Sequence, residues 1–198
     1  MASARKANAQ APVTQKQKTT LALPQATSVI SSDSVSIQPW QDVDFVRRCL
    51  RTLLQDNKAD FKSEAQLEML RYVLSASESI IVVLPTGGGK STSFMVPAIC
   101  EPQITIVLTP FISLMKDMMR KAEERGIPYA KWTASTHRQL DQLFRYRLLF
   151  VAYDSAASSE FTRFIRSHPG SFSRIIVDES HELMTARHYR ERFEKLPL

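Results

Sequence analysis

Apolar residues recur at helical spacing from position 41 onward. Asp42 stands before the first of these runs as a candidate N-cap. The apolar positions of this first helix are Phe45, Val46, Cys49, Leu50, Leu53 and Leu54. A second helix is predicted by Leu67, Leu70, Val73 and Leu74. Its start, Ser63 to Gln66, has the form of a capping box, in which the two end side chains bond free backbone amides.

Four short apolar runs then alternate with helix-like stretches. The runs are 80–84, 104–108, 148–152 and 175–177. Continuous short apolar runs of this kind are typical of buried parallel strands. The intervening helices are predicted from three groups: Leu114, Met118 and Ala122; Leu140, Leu143 and Phe144; Phe161, Phe164 and Ile165. The pattern therefore predicts an α/β fold with one wound sheet.

The first 40 residues differ in composition from the rest of the chain. They carry four basic side chains against Asp33 alone, no aromatic residue before Trp40, and many Ser, Thr, Gln and Ala residues. So little apolar surface cannot offset the entropy of ordering the segment, so residues 1–40 are predicted to be a disordered basic tail and 41–198 the folded part. An organellar transit peptide is the alternative interpretation of this composition.

The overall composition narrows the class of protein. The 198 residues are 43% hydrophobic and 23% charged, which suits one globular core. No apolar run approaches the ~18 residues of a membrane span, and the start has no secretory apolar core. A net charge of +6 is compatible with a polyanionic partner. Cys49 and Cys100 form no metal-ligand spacing and no disulfide framework, so both are expected to be core residues.

The segment from Leu84 to Thr92 reads Leu-Pro-Thr-Gly-Gly-Gly-Lys-Ser-Thr and contains three of the chain's five glycines. Glycine lacks the Cβ that would keep backbone amides from converging on phosphate oxygens, and the next helix adds its positive end. Lys90 is placed to reach the β- and γ-phosphates, and the Ser91 hydroxyl to bind Mg²⁺. The alternative is a glycine turn followed by a chance Lys-Ser pair.

Two carboxylates follow the last apolar run. Asp178 and Glu179 come directly after Ile175 to Val177. Beside a phosphate loop, Asp178 would hold Mg²⁺ through water, and Glu179 would orient and deprotonate the attacking water. Taken without the glycine loop, the same residues are equally well read as solvated acids at a strand end.

Together these motifs resemble the helicases that carry DEAD and DEAH boxes, and more closely the RecQ-like DNA helicases of superfamily two, including the telomere-linked members of fungi. The resemblance runs from Phe61 to Phe193 and implies a P-loop NTPase (RecA-like) parallel sheet. It implies ATP and Mg²⁺ as cofactors. The nucleotide-binding residues would be Gln66, Thr86, Gly87, Gly88, Gly89, Lys90, Ser91 and Thr92, with Ser91 and Asp178 at the metal and Glu179, Lys90 and Asp178 in catalysis.

Gln66 has two candidate roles under this resemblance. The family's motif before the P-loop ends in a glutamine that grips adenine, and Phe61 to Gln66 is similar to it with one extra residue of spacing. The same glutamine is the end of the capping box. We favour the adenine contact, while the capping role stays open.

Further segments resemble the family's nucleic-acid side. Val107 to Leu114 is similar to the motif that touches the DNA backbone, which points to Thr109, Pro110 and Ser113. At Tyr153 and Asp154 the chain departs from the family's Thr-Pro-Glu-like turn. Ser180 replaces the usual alanine of the box, and the resemblance suggests that His181 couples the nucleotide site to the DNA side.

The resemblance sets the functional expectations. The chain is expected to be the ATP-binding part of an ATP-dependent DNA helicase of the nucleus, truncated to the first motor domain, with an incomplete sheet and no second motor domain. DNA is the expected partner and no membrane is expected. The alternative is a truncated or degenerate module that binds nucleotide or nucleic acid without turnover.

Overall fold

A computed structural model of the chain describes residues 38–75, 79–133 and 143–182. It has an α/β fold, as predicted, and a 3₁₀ turn at Pro39–Gln41 precedes the regular elements. The helices are α1 (Val43–Leu54), α2 (Glu64–Ser75), α3 (Thr92–Cys100), α4 (Ile112–Glu124), α5 (Tyr153–Ala156) and α6 (Ser159–Ser167). The strands are β1 (Ile104–Thr109), β2 (Tyr129–Lys131), β3 (Leu148–Ala152) and β4 (Phe172–Val177).

The four strands form one parallel sheet in the order β2-β3-β1-β4. β1 lies between β3 and β4, and each of its six residues is buried. Leu108 pairs with Val177 of β4, and Thr109 pairs with Ala152 of β3. The carboxyl ends of three strands therefore meet at one edge of the sheet.

Each face of the sheet carries its own core. On one face, Val107 and Phe150 pack with the buried residues of α1 to α4. On the other, Leu108 and Val151 pack with α5 and α6 around Phe161. Neighbouring strand residues point to opposite faces, so a sheet covered on both faces needs apolar residues at consecutive positions. The predicted runs at 104–108, 148–152 and 175–177 are confirmed as strands for this reason.

Local sequence signals fix the helix ends. Asp42 caps α1, as predicted, because its side chain accepts a hydrogen bond from the Asp44 amide at 2.9 Å. Ser158 caps α6 in the same way by accepting from the Phe161 amide.

At the far end of α3, Glu101 forms an ion pair with Arg174 of β4 at 2.7 Å. This ion pair connects the end of α3 to the edge strand β4.

The predicted strand at 80–84 is wrong. Within the described residues, none of the four strands pairs with this segment, and it contains no regular element. Val82 and Leu84 pack against the core, whereas Ile81 and Val83 are 91% and 87% exposed. An apolar run records which side chains can be buried, but a strand also needs a neighbour for its backbone hydrogen bonds. β2, which has no long apolar run, was not predicted.

The two cysteines also differ from expectation. Both lie in or against the core, as predicted, but their sulfurs are joined as a disulfide across α1 and α3. The Cα atoms are 6.3 Å apart although 51 positions separate the residues in sequence. Packing of α1 on α3 creates this proximity, which residue spacing could not indicate.

Some predictions fall outside the described residues. These are the disordered state of residues 1–37 and the part of the helix predicted around Leu140. Among the described helices, none has the length and apolar character to cross a membrane.

We expect the chain to self-associate through the exposed apolar residues beside its glycine loop. Replacing both Ile81 and Val83 with Lys should reduce association, because unpartnered apolar segments of this kind are templates for pairing between chains. Sedimentation velocity over a range of concentrations measures this effect.

The matched control is Val82→Lys, which places a charge at the core-facing position between them. It should instead destabilise the fold, by roughly 2 kcal/mol or more, since the charge loses its water. A wild-type chain that stays monomeric at high concentration would contradict the prediction.

Candidate functional site

The glycine-rich segment forms a tight loop that leads into α3. Gly87 and Gly89 have φ angles of 78° and 88°, in the left-handed region that other residues avoid. The Gly88 amide donates to the Pro85 carbonyl at 3.0 Å, and Ser91 stands at the N-cap of α3. The positive end of α3 thus lies directly behind the loop, as an anion site requires.

Gly89 lies against the side chain of Gln66. A Cβ on Gly89 would stand 2.1 Å from the Gln66 amide nitrogen, so only glycine fits here without movement. Gln66 is buried, and its amide nitrogen donates to the Thr92 hydroxyl at 3.3 Å. The Thr92 hydroxyl in turn donates to the Gly89 carbonyl at 2.6 Å. Gln66 therefore supports the loop from below.

Gln66 also takes part in capping α2. Its backbone amide donates to the Ser63 hydroxyl at 3.2 Å, which is one half of the predicted capping box. Its side-chain oxygen accepts from the Lys62 amide at 2.8 Å instead of from the Ser63 amide. The start of α2 and the phosphate loop are thereby joined through one buried side chain.

Two lysines contact carbonyl groups of the loop region. Lys90 donates from Nζ to the Leu84 carbonyl at 3.0 Å, and Lys62 donates from Nζ to the Gly87 carbonyl at 2.8 Å. Both side chains are exposed, so an anion at the loop can reach them. Sequence reasoning did not single out Lys62 for this loop, because a contact across 25 positions leaves no local pattern.

The two carboxylates lie where β4 ends. The Asp178 amide donates to the Leu108 carbonyl of β1 at 2.9 Å, which continues the sheet pairing by one residue. Burial and the neighbouring charge of Glu179 raise the pKa of the Asp178 carboxyl. The Glu179 amide and the Lys90 ammonium act in the opposite direction without cancelling them. Asp178 is thus held partly desolvated within the electrostatic reach of the loop lysine.

Glu179 is more exposed than Asp178 and has a φ of 53°, which is unusual for a residue other than glycine. His181 Nδ1 lies 3.3 Å from a Glu179 carboxylate oxygen. The predicted coupling residue is therefore in contact with the predicted base.

The residues predicted to touch DNA are divided by burial. Thr109 is buried at the end of β1, and its hydroxyl has no hydrogen-bond partner among the residues that the structure describes. Pro110 is half-buried and Ser113 is exposed. Only the latter two present surface outward from the carboxyl edge of the sheet.

These groups fit a nucleoside triphosphate with a divalent cation. The loop presents glycine backbone, exposed lysines and a helix N-terminus, all of which suit phosphate oxygens. Within the described part of the chain, apart from the neighbouring residues in sequence, no atom lies within 4 Å of the position that a Cβ on Gly87 would take. Carboxylate and hydroxyl oxygens are the donors that Mg²⁺ prefers.

A model of one protein family, the DEAD/DEAH box helicases, matches residues 63–197. The chain belongs to the DEAD/DEAH box helicase family. The matched region contains the glycine loop, Asp178 and Glu179, which confirms the family expected from these motifs.

RecQ-type helicases are among the relatives of this family member. It is 33% identical over 123 residues to the ATP-dependent DNA helicase RecQ of Bacillus subtilis, covering 59% of this chain and 20% of that protein. It is 35% identical over 130 residues to the ATP-dependent helicase SGS1 of Saccharomyces cerevisiae, covering 59% and 9%. It is 30% identical over 128 residues to the ATP-dependent DNA helicase Q1 of Pongo abelii, covering 59% and 20%. The aligned part spans a fifth or less of these three relatives.

Gly89→Ala should destabilise the chain more than Gly87→Ala. Both positions have positive φ, but only at Gly89 would the added Cβ meet the buried Gln66 amide. We expect Gly87→Ala to cost about 1 kcal/mol from backbone strain and Gly89→Ala roughly 1–3 kcal/mol more from overpacking. Urea unfolding measures both.

Gln66→Ala in the Gly89→Ala background should recover part of the extra loss, since it removes the obstructing amide. Equal losses for the two glycine variants would show that Gln66 does not support the loop.

Asp178→Asn should stabilise the chain at pH 7 in the absence of nucleotide and Mg²⁺. The folded state holds the Asp178 proton more tightly than the unfolded state, because its pKa is raised. The free energy of unfolding of the wild type therefore falls as the pH rises from the ordinary pKa of an aspartate through the raised pKa of Asp178. Asparagine does not ionise, so the variant avoids this loss. Urea unfolding between pH 4 and 8 should show a gap between variant and wild type that grows with pH.

A gap for Asp178→Asn that does not change with pH would rule out ionisation as its cause.

Proposed function

We propose that the chain is the ATP-binding part of an ATP-dependent DNA helicase of RecQ type. The observation that carries this proposal is the glycine loop before α3 with Asp178 and Glu179 at the adjacent end of β4. Membership of the DEAD/DEAH box helicase family and the similarity to the RecQ and SGS1 helicases support it. Strand separation is an activity that we propose for the whole protein.

The residues at the loop have distinct proposed roles. Lys90 and the loop amides bind the β- and γ-phosphates, and Ser91 and Asp178 hold Mg²⁺. When bound, Mg²⁺ neutralises charge on the phosphate oxygens. Glu179, more exposed than Asp178, orients water and accepts its proton. A raised Asp178 pKa fits a carboxyl that awaits a cation, because a bound cation would favour its charged form.

Gln66 is proposed to sense adenine while it supports the loop. Its buried amide contacts Thr92 and packs on Gly89, so a change at this side chain is transmitted to the phosphate loop. This arrangement joins recognition of the base and the geometry of the phosphate site in one residue.

DNA is the proposed partner, and the nucleus is the proposed location. Thr109, Pro110 and Ser113 are the proposed contacts, of which Pro110 and Ser113 are accessible as the chain stands. His181, beside Glu179, is proposed to connect DNA contact with the water-activating carboxylate.

Calorimetric titration with Mg-ATP tests the nucleotide site. Lys90→Ala should weaken binding by about 10- to 100-fold, the loss expected when a charge-assisted hydrogen bond is removed. The fold should be unaffected, because Lys90 is exposed. The control is Lys116→Ala, which removes an exposed lysine on α4. This variant should bind Mg-ATP as the wild type does.

Gln66→Ala should weaken ATP more than other nucleoside triphosphates. Equal loss for every base would limit Gln66 to supporting the loop. A wild-type chain that binds no nucleotide at millimolar concentration would exclude the proposed function.

A further inference from the structure

Tyr153 occupies the first position after β3, at the same edge of the sheet as the carboxylates. It begins α5 and is 1% exposed, with its ring in the core on the α5 and α6 face. Its hydroxyl donates to the Asp178 carbonyl at 2.6 Å and lies 3.4 Å from the Glu179 carbonyl. A residue 25 positions earlier in the chain therefore contacts the backbone of the acidic pair.

This contact crosses a strand. β1 lies between β3 and β4, so the Tyr153 ring must extend past β1 to reach the residue that follows β4. Leu108 of β1, Val151 and Val177 belong to the same apolar cluster as the ring. The hydroxyl is the polar end of a side chain that is otherwise surrounded by apolar groups, and such a group needs a partner when it is buried.

The backbone of Asp178 is consequently held by a hydrogen bond at its amide and another at its carbonyl. Its amide donates to Leu108, and its carbonyl accepts from Tyr153. The next residue, Glu179, is in the left-handed region with a φ of 53°. A residue other than glycine persists there only when its surroundings fix it, and the Tyr153 hydroxyl is within reach of both carbonyls of this turn.

Phenylalanine at position 153 would fill the same apolar space. Burial of the ring therefore does not account for the hydroxyl, whereas the bond to Asp178 does.

We propose that Tyr153 is a positioning residue that sets the backbone of Asp178 and Glu179 so that Asp178 can hold Mg²⁺ beside a bound nucleotide. This inference rests on the proposed function. Tyr153 acts through Asp178 and itself touches neither phosphate nor metal. Removing the hydroxyl therefore affects the cation-dependent part of nucleotide binding and leaves the contacts of Lys90 and the loop amides in place.

The test is calorimetric titration of the 198-residue chain with ATP, once with Mg²⁺ and once with a chelator. The ratio of the two dissociation constants measures the contribution of the cation. Tyr153→Phe should reduce this contribution about 3- to 10-fold, as for one hydrogen bond, and leave metal-free binding unchanged. Tyr129→Phe is the matched control, because its ring packs on Phe150 in the same sheet and should leave both constants unchanged.

A double-mutant cycle with Asp178→Asn identifies the route of the effect. With Asp178 replaced, Tyr153→Phe should cause no further loss of the cation contribution. Circular dichroism and thermal unfolding check the fold, and Tyr153→Met, which also lacks the hydroxyl, replaces Tyr153→Phe if that variant is unfolded.

The possible outcomes are distinct. Equal weakening of ATP binding with and without Mg²⁺ would show a purely structural role and overturn the inference. Loss of the cation contribution that persists in the Asp178→Asn background would overturn it as well. If the wild-type chain binds nucleotide and Tyr153→Phe behaves like it, this inference alone fails; if the wild type binds none, the proposed function fails and this inference with it.

Discussion

The pairing of β1 with both β3 and β4 is the constraint on which the candidate site depends. β1 is buried along its whole length, and its parallel neighbours place the residues that follow three strands at one edge of the sheet. Parallel strands can meet in this way only when helices cover both faces, which the two apolar cores provide. Tyr153 and Asp178 lie within hydrogen-bond distance only because of this register.

The glycine-rich loop depends on a second, more local constraint. Gly89 is packed against a glutamine that is buried and hydrogen-bonded at both ends of its amide. The conformation of the loop therefore depends on this side chain of α2 as well as on the loop's own glycines. The acidic residues at the end of β4 are held by backbone hydrogen bonds instead, which keep the Asp178 carboxyl partly desolvated next to Glu179. That placement costs stability in the free chain and suits a cation-binding group, which is a common compromise at functional sites.

The segment before the loop is not paired with any strand that the structure describes. Ile81 and Val83 expose almost all of their surface, while the alternating residues Val82 and Leu84 are packed against the core. Among the described strands, β4 pairs only with β1. The relatives are at least about five times as long as the part that aligns with them. The segment before the loop therefore leaves apolar surface exposed in the part of the chain that the structure describes.

The sequence by itself determined the α/β class, three of the four strands, the Asp42 cap and the glycine-rich loop before α3, because burial periodicity, capping and glycine clusters are local and appear in short stretches of residues. The tertiary structure decided the rest. It left 80–84 without a partner among the described strands, joined Cys49 to Cys100, placed Gln66 against Gly89, and brought Tyr153 to Asp178. These contacts link residues 23 to 51 positions apart. Which side chains meet over such distances depends on strand order and helix packing, which no single stretch of sequence encodes.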